Sequence, residues 1–365
     1  MNISSPKFLG LLFFKNFFSN FKLILLIVII CLMIFGCESE INILSKNTLH
    51  FSKFPEEITV DFTDICEYKE GIAGTIILVD SSLVILNEQP GAKYFLNNYS
   101  LKSGLISKGY FGKGRGPGES MGPRMIGVNG NKLWLQDIIL RKTFTIEKEK
   151  IINTIKPIDF DEYHYENQYY MIDFKDSLSY FGVGNINSEY KIQKIDLITG
   201  KVIDECGKIE ETPGNISIPL FKSVYQSFIY VKPSGDKIVL PYRFLDAIEI
   251  YNVETKSNVV IHGPEGYDVE YKPNGNQMVK TEKTRIAFVN GTVTDRYIYM
   301  SYSGRTRYSS DYYYGCCIYV YDWDGNPVRK IVLNRYIQGL VVSQDDKTLY
   351  AFDVKTGFLI KANIN

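Results

Sequence analysis

One pattern limits what this chain can fold into more than any other: a short apolar strand, closed by a polar or aromatic residue, occurs six times. The copies are residues 83–87 (LVILN), 133–137 (LWLQD), 178–182 (LSYFG), 238–242 (IVLPY), 298–302 (IYMSY) and 349–353 (LYAFD), with starts separated by 50, 45, 60, 60 and 51 residues. Most copies follow a strand-like run and a tight turn that favours hairpins: Asn129-Gly130, Ser234-Gly235-Asp236 and Gln344-Asp345-Asp346. A third strand comes next, at 93–97, 190–196, 247–252, 316–322 and 358–362. Glycine turns at Thr199-Gly200 and Asp324-Gly325 then lead to fourth strands such as 201–207 and 327–333. A repeat of this length with four short strands per unit is the signature of a propeller blade. The chain is therefore expected to be all-β, a six-bladed β-propeller of four-stranded antiparallel blades.

The last unit stops after its third strand, at Asn365. A closed ring does not tolerate the open edge that would remain. The alternating segment 58–62 (ITVDF) is expected to pair with the last blade and close the ring by joining the two ends of the chain.

Composition agrees with an all-β core, because 14% of residues are aromatic, with 27 Tyr and 22 Phe, and such side chains suit half-buried pleated surfaces. Lys plus Arg equals Asp plus Glu, at 41 each. There is no basic excess to neutralise a phosphate backbone, so nucleic acid is not an expected partner. Cys66, Cys206, Cys316 and Cys317 are few and irregularly spaced, and read as small buried hydrophobes. Adjacent residues on a strand face opposite ways, so Cys316 and Cys317 do not read as joint ligands of one metal.

The N-terminus differs in kind. Lys7, Lys15 and Lys22 precede an unbroken apolar run at 23–35, followed by Gly36 and Cys37. As a helix the run would span roughly 20 Å against a hydrocarbon core of about 30 Å, which favours a signal peptide over a permanent span. Ile34-Phe35-Gly36-Cys37 resembles a bacterial lipobox, with Phe35 where a small residue is usual. The resemblance implies lipidation of Cys37 and anchoring to a membrane through the N-terminal lipid. Glu38-Ser39-Glu40 resembles the surface-export signal of Bacteroidetes lipoproteins. The expected organisation is a lipoprotein signal peptide at 1–36, a polar tether at 37–54 and the propeller at 55–365. The expected location is the cell envelope, at the outer membrane.

The loop after the first unit reads GKGRGPGE, residues 112–119. It resembles the Gly-Pro-Gly-Glu motif of the TolB-like six-bladed propeller lipoproteins of Bacteroidetes, with Ser120 in place of the usual aromatic. The resemblance implies the fold and a binding role in the envelope.

Chemistry is harder to find. The glycine-rich loop lacks the Lys-Ser/Thr ending of a P-loop, and reads as backbone in close approach between blades or as a ligand-binding nest. Residues 118–122 (GESMG) match a hydrolase pattern without its strand-to-helix context. His50, His164 and His262 have no partner at motif spacing. No cofactor is expected; an axial calcium ion held by Asp80, Asp137 and Asp353 is left open beside the plainer reading of these as turn residues. In a meander the loop after each second strand shares a face with the connection to the next blade. That face would collect Arg115 and Glu119 with Asp137, Arg141, Tyr242, Arg243, Asp246, Tyr302, Arg305, Arg307 and Asp353. Of these, Arg115, Glu119, Tyr242, Arg243, Tyr302, Arg305 and Arg307 are the expected ligand-binding residues. The long Tyr-, Ser-, Gly- and Arg-rich segment 303–315 has the composition of an adaptable recognition loop. The expected function is a non-enzymatic binding module for a protein, peptide or glycan. The alternatives are a metal-assisted propeller hydrolase or lyase and a structural docking subunit of an outer-membrane complex.

Overall fold

Every one of the six recurring segments is the second strand of a four-stranded sheet. The computed structural model describes residues 47–107, 109–153 and 160–365; the signal peptide and Cys37 lie outside the described residues. Blade one is built from Ala73–Val79, Ser82–Asn87, Tyr94–Ser100 and Tyr110–Lys113. Blade two uses Pro123–Asn129, Lys132–Asp137, Lys142–Glu147 and Asp161–His164, and blade three Met171–Phe174, Ser179–Val183, Tyr190–Asp196 and Val202–Lys208. Blade four comprises Tyr230–Val231, Lys237–Pro241, Ala247–Asn252 and Asn258–His262. Blade five contains Arg285–Val293, Tyr297–Thr306, Gly315–Asp322 and the first part of Pro327–Val342, whose second part opens blade six. Blade six continues with Thr348–Asp353 and Phe358–Asn363. Successive strands within each blade are antiparallel.

The second strands are buried almost throughout, as in Ser82–Asn87 and Ser179–Val183. A strand covered on both faces by neighbouring blades loses the polar alternation of a half-exposed one and reads as a continuous apolar run. That is why these strands were the visible repeat.

The ring closes as a join between the chain's two ends, but through a different strand from the expected 58–62. Thr63–Glu67 pairs antiparallel with Phe358–Asn363, setting Cys66 opposite Leu359 and Asp64 opposite Ile360. Ile58 belongs instead to Glu56–Val60, which runs parallel to the fourth strand of blade five with Ile58 opposite Ile331. The closing strand has one solvent-facing side and an exposed, polar pattern, so alternation favoured its more apolar neighbour. The tether is also shorter than expected on the described side. Thr48–His50 pairs parallel with Asn258–His262 at the outer edge of blade four, and the ring of Phe54 packs 4.7 Å from that of Tyr319.

Blades are also tied by specific polar contacts. Between blades three and four the fully buried Glu249 accepts from Lys191 Nζ at 2.9 Å, Tyr242 Oη at 2.5 Å, Tyr251 Oη at 2.6 Å and Asn258 Nδ2 at 2.5 Å. Around the axis the inner strands crowd together. A Cβ on Gly339 of blade six would lie 2.6 Å from the Ala73 carbonyl oxygen of blade one. Because the obstacle is backbone, Gly339→Ala is expected to destabilise the fold by about 1–3 kcal/mol, the usual cost of overpacking, as a denaturation midpoint would show.

Asp173, on the inner strand of blade three, accepts from the Val231 backbone N–H of blade four at 2.7 Å. Burial pushes its carboxyl up to about 7, although the N–H groups of Val231 and Phe174 oppose the shift. Burial also lifts Asp246 to about 7. In the unfolded chain an Asp ionises near 4, so the folded state keeps these protons over a range in which the unfolded state loses them. The contribution of these two carboxyls to stability is therefore greatest below about pH 4, falls as pH rises to about 7 and then levels off. Asp173→Asn is expected to flatten this decline in urea melts taken from pH 4 to 8. An unchanged slope would mean that Asp173 does not contribute to it.

Candidate functional site

The end of the second strand is a structural junction on the face that also receives the connections between blades. In blade one Asn87 Oδ1 accepts from the N–H groups of Ile72 and Gln89, while its Nδ2 donates to Glu70 O at 2.7 Å. Asp137 of blade two accepts from Ser120 Oγ at 2.6 Å and from the N–H groups of Met121, Gly122, Ile139 and Leu140. Burial alone would push its pKa up, yet these donors outweigh it and hold the carboxyl below its ordinary value. Asp353 of blade six accepts from Thr356 Oγ1 at 2.9 Å and from Arg335 at 3.4 Å. Asp80 pairs with Lys148. The three carboxylates named for an axial calcium thus have other employment. Among the described residues no three His, Cys, Asp or Glu side chains are grouped to hold a metal ion.

The same face opens into an axial cavity of about 190 Å³ lined from all six blades, including Gly74, Arg124, Met171, Phe228, Asn290 and Gln338. Asn290 bridges three blades there: from blade five its Nδ2 reaches Gly74 O of blade one at 2.9 Å and Gln338 O of blade six at 3.2 Å. In the same cavity two guanidiniums converge. Arg124 of blade two and Arg243 of blade four both donate to the hydroxyl of Tyr170, which precedes blade three. Arg124 also lies 4.5 Å above the Tyr170 ring, and its buried Nε has no hydrogen-bond partner. Neither arginine forms an ion pair among the described residues. The cavity's carboxylate, Glu88, is held by Gln338 Nε2 at 2.9 Å.

Of the seven residues expected to bind a ligand, Arg243 lines this cavity. Arg115 is exposed on the glycine-rich loop between blades one and two. Glu119 folds back to accept from Gly116 N at 2.8 Å, and a methyl group on Gly114 would overlap its carboxylate. The loop is thus braced by its own glutamate. Tyr242 is buried with its hydroxyl on Glu249. Tyr302 is buried and stacked on Tyr319 at 4.2 Å. Arg305 lies 4.7 Å over the Tyr336 ring, and the exposed Arg307 donates to Lys280 O at 3.1 Å. Arg124, Tyr170 and Asn290 were not among the expected residues. Arg124 and Asn290 lie on inner strands, in the runs RMIGV and AFVNG, where a polar residue inside an apolar inner strand points to the axis.

The chain is similar to a Bacteroides fragilis protein described as exported, with a TM-score of 0.54 and 14% identity, over 87% of this chain and 98% of that one. It also resembles the β-propeller domain of Cps50 (Swd1) from Myceliophteria thermophila, with a TM-score of 0.47 and 10% identity, over 84% of this chain and 100% of that one. No curated protein matches the chain. The model of the family described as TolB-like 6-blade propeller-like matches residues 74–345, and with the six blades and their closure in view the chain belongs to that family.

Proposed function

We propose that the protein is an envelope lipoprotein, anchored through Cys37 after removal of residues 1–36, that binds an anionic group of a protein, peptide or glycan at the axial mouth. The observation carrying this reading is the convergence of Arg124 and Arg243 on one tyrosine hydroxyl, with no carboxylate paired to either among the described residues. Two guanidiniums so close repel each other, and an anion accepting from both relieves that repulsion through charge-assisted hydrogen bonds. Their charge also makes the mouth a poor site for a metal cation, so binding is favoured over metal-assisted hydrolysis. The exported relative in Bacteroides fragilis is consistent with an envelope location.

Affinity purification of the full-length protein from its native membrane tests the reading. A partner bearing an acidic group is expected to co-purify with the wild type and to fall by roughly a hundredfold with Arg124→Ala plus Arg243→Ala, two charged contacts at about tenfold each. Equal recovery with the double variant would refute the assignment of the mouth. Lipid attachment is read separately, by loss of radiolabelled fatty acid from Cys37→Ala.

A further inference from the structure

We infer that the anionic group is the free C-terminal carboxylate of a peptide whose last residue is a branched aliphatic one. This rests on the reading of the mouth as an anion site. Tyr170 belongs to two places at once. Its hydroxyl takes both guanidiniums of the axial mouth, and the residue also lines a second cavity of about 90 Å³ in the groove between blades three and four. The walls of that groove are largely apolar, with Val183, Ile186, Phe221, Tyr225 and Leu240.

The cations in the groove are directed elsewhere. Lys222, on the helix Ile218–Val224, donates from Nζ to the carbonyl oxygens of Asn185 at 2.6 Å, Ser188 at 2.6 Å and Tyr190 at 2.7 Å. Lys191 bonds Glu249 at 2.9 Å. The groove therefore offers an apolar surface beside a doubly cationic mouth, with one side chain between them.

The size of the groove narrows the choice. A dry cavity of roughly 150 Å³ accommodates benzene, so 90 Å³ matches an isobutyl or isopropyl group more closely than an indole. A ligand must then carry its carboxylate and its branched aliphatic group close together. In the terminal residue of a peptide both substituents sit on one Cα. The carboxylate would accept from Arg124 and Arg243 in place of the Tyr170 hydroxyl, also satisfying the partnerless Nε of Arg124. The exposed Ile186, at 54%, would be covered.

The test is fluorescence anisotropy on the full-length protein in detergent. The probes are pentapeptides labelled at the N-terminus, with the sequence Gly-Ser-Gly-Ala followed by Leu, Gly or Trp, and the Leu peptide as its C-terminal amide. The Leu acid is expected to bind, with the amide and the Gly acid each weaker by about tenfold or more, and the Trp acid weaker as well. Arg124→Gln should weaken all the acids. Ile186→Asp, a change at an exposed position, should narrow the gap between the Leu and Gly peptides. If the Leu and Gly acids bind alike while the amide stays weak, the aliphatic assignment is wrong and the anion site stands. If acid and amide bind alike, both fall. If N-acetyl-leucine binds as tightly as the Leu pentapeptide, the ligand is a small acylated amino acid and the peptide assignment is overturned.

Discussion

Replacing Glu249 by alanine is expected to lower the unfolding free energy by about 3–5 kcal/mol, the usual cost of removing one partner from a buried ion pair. Its carboxylate is fully buried and receives hydrogen bonds from four side chains on blades three and four. Alanine leaves the hydroxyls of Tyr242 and Tyr251 without this acceptor and an ammonium facing a void. Each orphaned polar group adds its own desolvation cost. The melting temperature should fall by roughly 5–8 °C for a domain of this size. Glu249→Gln keeps an acceptor but not the charge, and should fall between the two. Thermal melts of the three proteins at pH 7 decide the matter, and an alanine variant within 1 kcal/mol of wild type would show that the cluster does not lock the two blades.

The second large effect concerns closure. Deleting residues 47–67 removes Thr63–Glu67 from blade six, Glu56–Val60 from blade five and Thr48–His50 from blade four. Three outer edges then lose their partners, and blade six is left three-stranded with an open edge next to blade one. Such edges invite pairing with other chains. The expected result is loss of a single cooperative unfolding transition and aggregation during purification. Deleting only residues 47–54 serves as the control, since it retains the closing strand while removing Thr48–His50 and the packing of Phe54 on Tyr319. That variant should fold, with a lowered melting temperature. If the longer deletion also melts cooperatively as a monomer, the blades close without the N-terminal strand.

How much of this was legible in the sequence depended on burial. Second strands, covered on both sides, announced themselves as apolar runs, and all six were located within a residue at each end except in blade five, where Tyr297–Thr306 runs four residues past the expected end. Closure by the N-terminus followed from the unit count, yet the strand was misplaced by one element, since Thr63–Glu67 is exposed and polar while Ile58 and Val60 also alternate. Thr48–His50 was invisible for the same reason: three residues at an outer edge carry no periodicity. The shared face followed from meander geometry, and it put Arg243 in the mouth. Geometry of that kind assigns a face and not a direction: Tyr302 turns into the core, while Tyr242, buried with its hydroxyl on Glu249, lines the groove between blades three and four. Arg124 and Arg243 are separated by well over a hundred residues, and only the ring brings them onto one hydroxyl.

The path of residues 48–67 along the outer edges of blades four, five and six also has a consequence in time. This segment is made early, but its partners Asn258–His262, Arg329–Leu333 and Phe358–Asn363 are made late. At about 5–20 residues per second, some 300 residues of intervening synthesis take on the order of 15–60 s. Throughout that interval the strand that will complete the ring has no place to pair, and blade one has no neighbour on its sixth-blade side. The ring therefore cannot close as it emerges: residues 358–363 must be made before residues 63–67 can dock, and any factor that shields nascent strands must hold that segment until they appear.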